Sequence, residues 1–478
     1  MKEKTKSAPR QESTLPRSLR TFYGIGEFGQ QCSVITLNMF LLYFYTDILG
    51  ISAAAAGTLL LVARIWDAIN DPMMGLVIDR THSKHGKCRP YLLFFAIPAG
   101  LFLFLTFFAP DMGNTAKLVW AYVTYIGQGM IYTATGISYT TLIARITDDP
   151  LERVGLNQSR AFISMFAAIF ISSMTMPLIT AIGKGNEKLG FAVTVGVYGI
   201  LQAMSYLFVF FLTKGHDPQE PRLEKAAGQS SSEIKLALKG ILQNDLWRLL
   251  LCATLLYCTS SALTQGILVY YVKYYLGRPE LVGVASLFSM VSSFLAIVLL
   301  KVFAKHLGKA RSCAAGLCIA VVCLCIRLFT RDAFIPVYLG CLMVAGFGVG
   351  LYSSLMVPVL MDSIDYGEWK SGTRNDALVM SANSFGTKLG SGIGSSLVAF
   401  MLSAIGYIPK VAVQPESVKN GLFGVAIFVP LTVFCINIVI MLIYRKYEKR
   451  MPAIRKELAE KHAKQAELLA QQQAQTAQ

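Results

Sequence analysis

Apolar stretches long enough to cross a bilayer, about 20 residues each, recur along the chain with polar breaks between them. Hydropathy places them near residues 20–49, 56–78, 91–109, 117–143, 159–181 and 191–213. A second set follows near 246–276, 281–304, 312–330, 333–361, 377–404 and 421–445. The polar stretch from Lys214 to Asp245 separates six spans from six. It holds His-Asp-Pro-Gln-Glu-Pro (216–221), Gly228 and Ser230 to Ser232, a composition that predicts a flexible linker. The expected architecture is an all-α membrane protein of twelve transmembrane helices. Residues 1–213 form one six-helix bundle and 246–445 the other, with a linker at 214–245 and a tail at 446–478. Transporters built from two such repeats hold their substrate between them, near the bilayer midplane. The tail after Arg445 is charged and helix-prone and ends in the Gln/Ala-rich segment Ala470 to Gln478. It is expected to be soluble and partly disordered.

Composition agrees with the pattern. Hydrophobic residues make up 54% of the chain and charged ones only 15%, with a mean hydropathy of +0.51, against roughly 25% charged in a soluble domain. Residues 1–20 are polar and basic, and no small-residue cleavage site closes the first apolar run, so that run is expected to be a retained helix. The net charge of +16 does not call for a nucleic-acid partner. With the N-terminus placed inside, most Lys and Arg fall in cytoplasmic segments, the positive-inside signature. The expected location is therefore the inner membrane, multi-pass, with both termini cytoplasmic.

Ten cysteines are scattered mostly through apolar helices without a CxxC pair, and the five histidines lie in loops or the tail. A catalytic metal centre in the membrane would lack its commonest ligand, and no nucleophile motif is present. The chain is read as a transporter, not an enzyme, and no cofactor is expected. The glycine runs Gly346, Gly348, Gly350 and Gly390, Gly392, Gly394 follow no strand. They read as close helix packing, with sliding surfaces as the other reading.

Charge within the spans carries the chemistry. In Arg64-Ile-Trp-Asp67-Ala-Ile-Asn70-Asp71-Pro72, the residues Arg64, Asp67 and Asp71 stand at i, i+3 and i+7 on one helical face, flanked by Asn70. Burying one charge at the bilayer centre costs about 2.5–3.5 kcal/mol, and two carboxylates together repel unless a proton or cation joins them. Two Asp and one Asn suit Na⁺, Li⁺ or H⁺; the competing reading is a structural Arg–Asp pair. Further polar residues lie at similar depth: Glu27, Gln30, Gln31 and Asn38; Gln128, Tyr132, Thr133 and Tyr139; Arg160; Asn383, Ser384 and Lys388. Together they predict a polar cavity wall.

Several longer motifs then bear on the family. They are Tyr-Gly-Ile-Gly-Glu-Phe-Gly (23–29), Phe-Tyr-Thr-Asp (44–47) and Ala-Arg-Ile-Trp-Asp-Ala-Ile-Asn-Asp-Pro-Met-Met-Gly (63–75). Gly-Lys-Cys-Arg-Pro (86–90), Glu152-Arg153, Asp-Ser-Ile-Asp-Tyr-Gly-Glu-Trp-Lys (362–370) and the surroundings of Lys388 extend the set. In these the chain, from about Tyr23 to Arg445, resembles the glycoside-pentoside-hexuronide:cation symporters, a melibiose permease-like branch of the major facilitator superfamily. The resemblance implies that fold and a coupling-ion site at Asp67, Asn70, Asp71 and Thr133, taking Na⁺ or H⁺. It implies cavity cations at Arg160 and Lys388 and a polar sugar-side pair at Asn383 and Ser384. The substrate-binding set expected is Gln30, Gln31, Asn38, Tyr139, Arg160, Asn383, Ser384 and Lys388.

The chain departs from the family at its sugar carboxylates, where Gln31 and Gly136 stand, and at two tryptophans, replaced by Thr140 and Ser353. Those departures turn the expectation away from an α-galactoside. An anionic hexuronide would gain charge-assisted hydrogen bonds from Arg160 and Lys388. A neutral glycoside held by Gln30, Gln31, Asn38 and Asn383 is the other reading, and a lysolipid is the alternative substrate on the same fold. The partners expected are a small-molecule sugar, a coupling cation and the lipid bilayer. Basic Lys84, Lys87 and Arg89 and acidic Asp362, Asp365 and Glu368 occupy pseudo-equivalent loops, which predicts an electrostatic latch that shuts the cytoplasmic side in the outward-open state; the other reading is that the basic residues only fix topology.

Overall fold

The computed structural model describes residues 15–79, 81, 83–147, 149–217, 244–372, 376–409, 411 and 413–462. Twelve rods cross it. α1 is Ile25–Tyr43, prolonged by a π-helical turn at Phe44–Leu49; α2 is Ala53–Asp79; α3 comes in two pieces, Arg89–Phe94 and Ala96–Thr106; α4 is Asn114–Ile146, α5 Pro150–Gly183 and α6 Glu187–Leu212. α7 is Asp245–Tyr270, prolonged by a second π-turn at Tyr271–Tyr275; α8 is Leu281–Leu307, α9 Lys309–Thr330, α10 Ile335–Ser371, α11 Asp376–Ala404 and α12 Glu416–Glu448. No strand occurs among the described residues. The greater part of the expected linker and the end of the tail lie outside them.

The helices pack as two repeats. In the first, α1 meets α5 and α6, α2 meets α4, and α3 meets α4 and α6. In the second, α7 meets α11 and α12, α8 meets α10, and α9 meets α10 and α12. The bundles touch through α2 against α11, α5 against α8, and α1 against α7. Glycine allows the closest approaches within each bundle. A Cβ on Gly100 would lie 2.2 Å from the Gly199 carbonyl oxygen between α3 and α6, and one on Gly316 would lie 2.4 Å from that of Gly348 between α9 and α10. Gly346 and Gly350 turn instead to α8, Gly390 and Gly394 to α7, and Gly392 faces the Arg64 side chain of the opposite bundle. Both runs are thus packing surfaces.

By length and composition, nine helices among the described residues are apolar enough to cross a membrane. α3 fails because it breaks at Phe95. α4 and α11 fail because they carry hydroxyl, amide and charged side chains, and both border the central cavity.

Two helices outrun their hydropathy for one reason: buried carboxylates find partners. α5 starts at Pro150 because Glu152 accepts from Leu15 N at 3.1 Å and Thr147 Oγ1 at 2.6 Å. α10 runs past residue 361 because Asp362, fully buried, accepts from Lys309 Nζ (2.6 Å), Arg455 Nη2 (2.8 Å) and Tyr444 Oη. The tail is accordingly not free: residues 451–462 form a helix along α10, with Arg455 on Asp365 at 2.9 Å, His462 on Glu368 at 2.6 Å and Glu457 accepting from Trp369 Nε1 at 2.7 Å.

Candidate functional site

A cavity of about 350 Å³ lies between the bundles. α1 lines it with Ser33, Leu37 and Asn38, α2 with Arg64, Asp67 and Asp71, α4 with Tyr125, Gly129, Tyr132 and Thr133, and α11 with Thr387, Lys388 and Ser391. All these positions lie near the middle of their helices. The i, i+3, i+7 spacing on α2 does turn Arg64, Asp67 and Asp71 to one side.

The charges form two opposed pairs. Arg64 Nη1 stands 3.6 Å from Asp67 Oδ2 on the same helix. Lys388 Nζ reaches across from the second bundle to Asp71 Oδ2, while Thr133 Oγ1 donates to Asp71 Oδ1 at 2.9 Å. Asn70 is buried behind this row, and its Nδ2 has no hydrogen-bond partner among the described residues. Asp67 Oδ1 lies 3.0 Å from where a Gly129 Cβ would sit, so the absent side chain leaves the carboxylate its room. Lys388 is 56% exposed even while it engages Asp71, which marks the open side of the cavity.

The expected substrate set divides. Asn38 and Lys388 line the cavity. Tyr139 does not: it is fully buried and stacks on Tyr23 at 4.9 Å, and each hydroxyl donates to the other residue's carbonyl oxygen at 2.6 Å. A side chain so engaged holds the residues before α1 against α4 and, contrary to the expectation from sequence, packs instead of facing the cavity. Gln31 donates to Ser164 Oγ at 2.7 Å. Gln30 is buried in the first bundle with Nε2 unpartnered among the described residues, facing the space a Gly136 Cβ would fill. Arg160 is held by Glu27, with Nε at 2.9 Å and Nη2 at 2.8 Å from Oε2, and lies over the Tyr139 ring. Asn383 and Ser384 lie on α11 toward its start and are outside the cavity lining.

Among the described residues no ion pair joins the two sets expected to latch in the outward-open state. Arg89 donates to the Phe210 carbonyl oxygen, 2.7 Å from Nη2, and the acidic row on α10 is occupied by Lys309 and the tail helix.

A second polar cluster went unread in the sequence. At the distal face, opposite the chain's two described ends, Asp47 accepts from Thr46 at 2.7 Å, Tyr407 at 2.6 Å and Tyr274. Thr46 and Tyr270 hydroxyls meet at 2.7 Å. Beside them Lys273 lies 2.8 Å from Glu187 Oε1, and Tyr43 donates to Glu187 Oε2 at 2.6 Å. The acid within the Phe-Tyr-Thr-Asp motif, in a span otherwise apolar there, was the available signal.

Residues 22–449 match the family model described as MFS/sugar transport protein. The chain belongs to the MFS/sugar transport protein family. It is similar to the isoprimeverose transporter of Lactiplantibacillus pentosus, 34% identical over 457 residues that cover 95% of this chain and 94% of that one. The inner membrane symporter YicJ of Escherichia coli K12 is 30% identical over 423 residues, 87% and 89% of the two chains. Among solved structures, a bacterial homologue of the human lysosomal transporter Spinster, inward-facing and unoccupied, superposes with a TM-score of 0.64 at 11% identity, covering 91% of this chain and 97% of that one. That likeness concerns the fold alone. This MFS sugar-transport chain is a multi-pass membrane protein of two six-helix bundles.

Proposed function

We propose that the chain carries a sugar or glycoside across the inner membrane together with Na⁺ or H⁺, the two bundles alternating access to the central cavity. The observation that carries this reading is Lys388 on Asp71. An ammonium from one bundle occupies a carboxylate of the other, beside the Thr133 hydroxyl and in the same cavity that Asp67 lines. An incoming cation would replace that ammonium and release Lys388 to a substrate oxygen, so cation binding would raise sugar affinity. The reading takes both termini as cytoplasmic, which makes this conformation inward-open.

Three cations near the cavity each meet one carboxylate: Arg64 with Asp67, Lys388 with Asp71 and Arg160 with Glu27. That balance supports a neutral sugar over a hexuronide. Arg160 stays with Glu27, so a hexuronide would have only the released Lys388 to draw on for charge, whereas a neutral sugar needs no spare cation. Asn38, Thr387 and Ser391 offer hydroxyl and amide partners, and Tyr125 and Tyr132 offer apolar ring faces. The test is uptake into energised vesicles of a panel of neutral glycosides, pentosides and hexuronides, with and without Na⁺ and a pH gradient. Isoprimeverose, which the Lactiplantibacillus relative is named for, heads the panel. Failure of every sugar to accumulate under either gradient would overturn the reading.

A further inference from the structure

We propose that the two π-helical turns form the distal gate of this carrier, latched by tyrosine hydroxyls closing on Asp47. This rests on the alternating-access reading, which requires the distal face to open in another state.

α1 and α7 hold equivalent places in the two bundles, and each ends distally in a π-turn, a rare geometry concentrated at functional sites. In the second turn, Leu276 N and Arg278 N donate to the carbonyl oxygens of Tyr271 and Val272, both at 3.1 Å. Gly50, at φ 82°, stops the first turn, in a backbone region glycine enters without strain. A π-turn rotates less per residue than an α-turn, so the sequence neighbours Thr46 and Asp47 both point toward α7.

Beyond the bonds of Thr46 to its own helix and to Asp47, what they meet there comes from the other bundle. Tyr270 reaches Thr46, Tyr274 reaches Asp47, and Tyr407, beyond α11, reaches Asp47 as well. The rings brace one another, with Tyr407 edge-on to Tyr270 at 5.3 Å and to Tyr274 at 5.6 Å. Tyr271, between the two reaching tyrosines, turns inward to Asp332, itself paired with Arg327 Nη2 at 2.8 Å. The second turn is therefore anchored in its own bundle by Tyr271 on the buried Arg327–Asp332 pair, and it touches the other bundle by the Tyr274 hydroxyl and, at the rim, by Lys273.

That difference suits a gate. Asp47 is only 8% exposed, and its partners among the described residues are hydroxyl groups that water can replace when the faces part. Breaking a buried ion pair by separating its partners is costly. Exchanging a carboxylate's hydroxyl donors for water costs less, because a hydrogen bond is worth little net of solvation. Lys273 and Glu187 add one ion pair at the half-exposed rim, where such pairs are weak.

The test reads accessibility without any substrate. A single cysteine at Leu37→Cys, on the cavity wall, is introduced after the ten native cysteines are replaced. A membrane-impermeant maleimide is then applied to the distal side of oriented vesicles. In Asp47→Ala, and in the volume-conserving pair Tyr274→Phe with Tyr407→Phe, labelling should quicken by about tenfold or more, the effect of losing one or two bonds to a charged group. Gly57→Cys and Ala399→Cys, whose Cβ positions stand 2.9 Å apart across the bundles, should seal the distal face on oxidation and return labelling to the parental rate. Unchanged labelling in both latch variants, with protein at parental level in the membrane, would overturn the gate. Fast labelling that survives the crosslink would overturn it too, as a sign of unfolding. Because no sugar is used, an unsuccessful uptake screen leaves this test intact.

Discussion

Removing Lys388 is the perturbation that bears most directly on how cation and sugar are linked. In Lys388→Ala the tenant of Asp71 is gone, so a cation no longer has to displace it, and cation affinity should rise. The size follows from the setting. Two unit charges about 4 Å apart interact by roughly 4 kcal/mol at an effective dielectric of 20, whereas pairs in open water rarely exceed about 1 kcal/mol. With Asp71 at 20% and Lys388 at 56% exposure, the pair lies between those limits, and a release of about 1–3 kcal/mol is expected, typical of coupling between sites and equal to about 5- to 150-fold in affinity. The assay is a calorimetric or fluorescence titration of purified protein with Na⁺, and of sugar with and without Na⁺, well above the carboxylate pKa range so that protons do not fill the vacated site. Lys388→Ala should bind Na⁺ more tightly, and its sugar affinity should no longer respond to Na⁺. Unchanged or weaker Na⁺ binding, or an intact Na⁺ enhancement of sugar affinity, would refute the exchange. If H⁺ is the coupling ion, the same competition appears as a shift in the pH midpoint of sugar binding.

Asp67→Asn and Asp71→Asn should each abolish cation-driven accumulation while the protein remains in the membrane; concentrative uptake at the parental level by either counts against the cation site. Tyr139→Phe removes a hydroxyl that bonds only backbone, so thermal stability should fall by about 1 kcal/mol with sugar affinity unchanged, and a selective loss of affinity would return Tyr139 to the substrate set. Gly348→Leu pushes a side chain into the Gly316 backbone, 2.1 Å away at Cβ, and should sharply lower the melting temperature; a variant as stable as the parent would contradict the close packing of α9 on α10. Arg455→Ala strips one charged donor from Asp362 and should destabilise the protein by about 1.5–3 kcal/mol, read as a drop in thermal midpoint in detergent.

Much of this architecture was legible in order along the chain. The twelve spans are each continuous in sequence, and the α2 row needs only helical spacing to set Arg64, Asp67 and Asp71 on one side. The rotation of a helix about its axis is harder to read, because packing against distant segments sets it. Tyr139 and Asn38 look alike as polar residues at mid-depth, yet only Asn38 borders the cavity, since Tyr139 has the backbone of Tyr23 as its partner. Gln31 and Arg160 are likewise taken up by Ser164 and Glu27, residues on other helices. The distal cluster was hidden for the same reason. Thr46 and Tyr270 stand 224 positions apart, and Asp47 and Tyr407 stand 360 apart. Two departures from α-helical register bring them together, and neither leaves a mark in hydropathy. The extension of α10 was missed because hydropathy scores Asp362 as a helix stopper, whereas Lys309, Tyr444 and Arg455 make its burial affordable.

That hub also sets an order of events during synthesis. Asp362 emerges from the ribosome after Lys309 but before Tyr444 and Arg455, which follow it by 82 and 93 positions. A nascent second bundle therefore carries a carboxylate on α10 that lacks two of its three partners until α12 and the segment after it are made. The last helix and the segment after it complete α10 rather than trail behind it. Closure of the second bundle therefore waits for the segment after α12, and a tag inserted directly after Glu448 would stand between α12 and the Arg455 that completes the partners of Asp362.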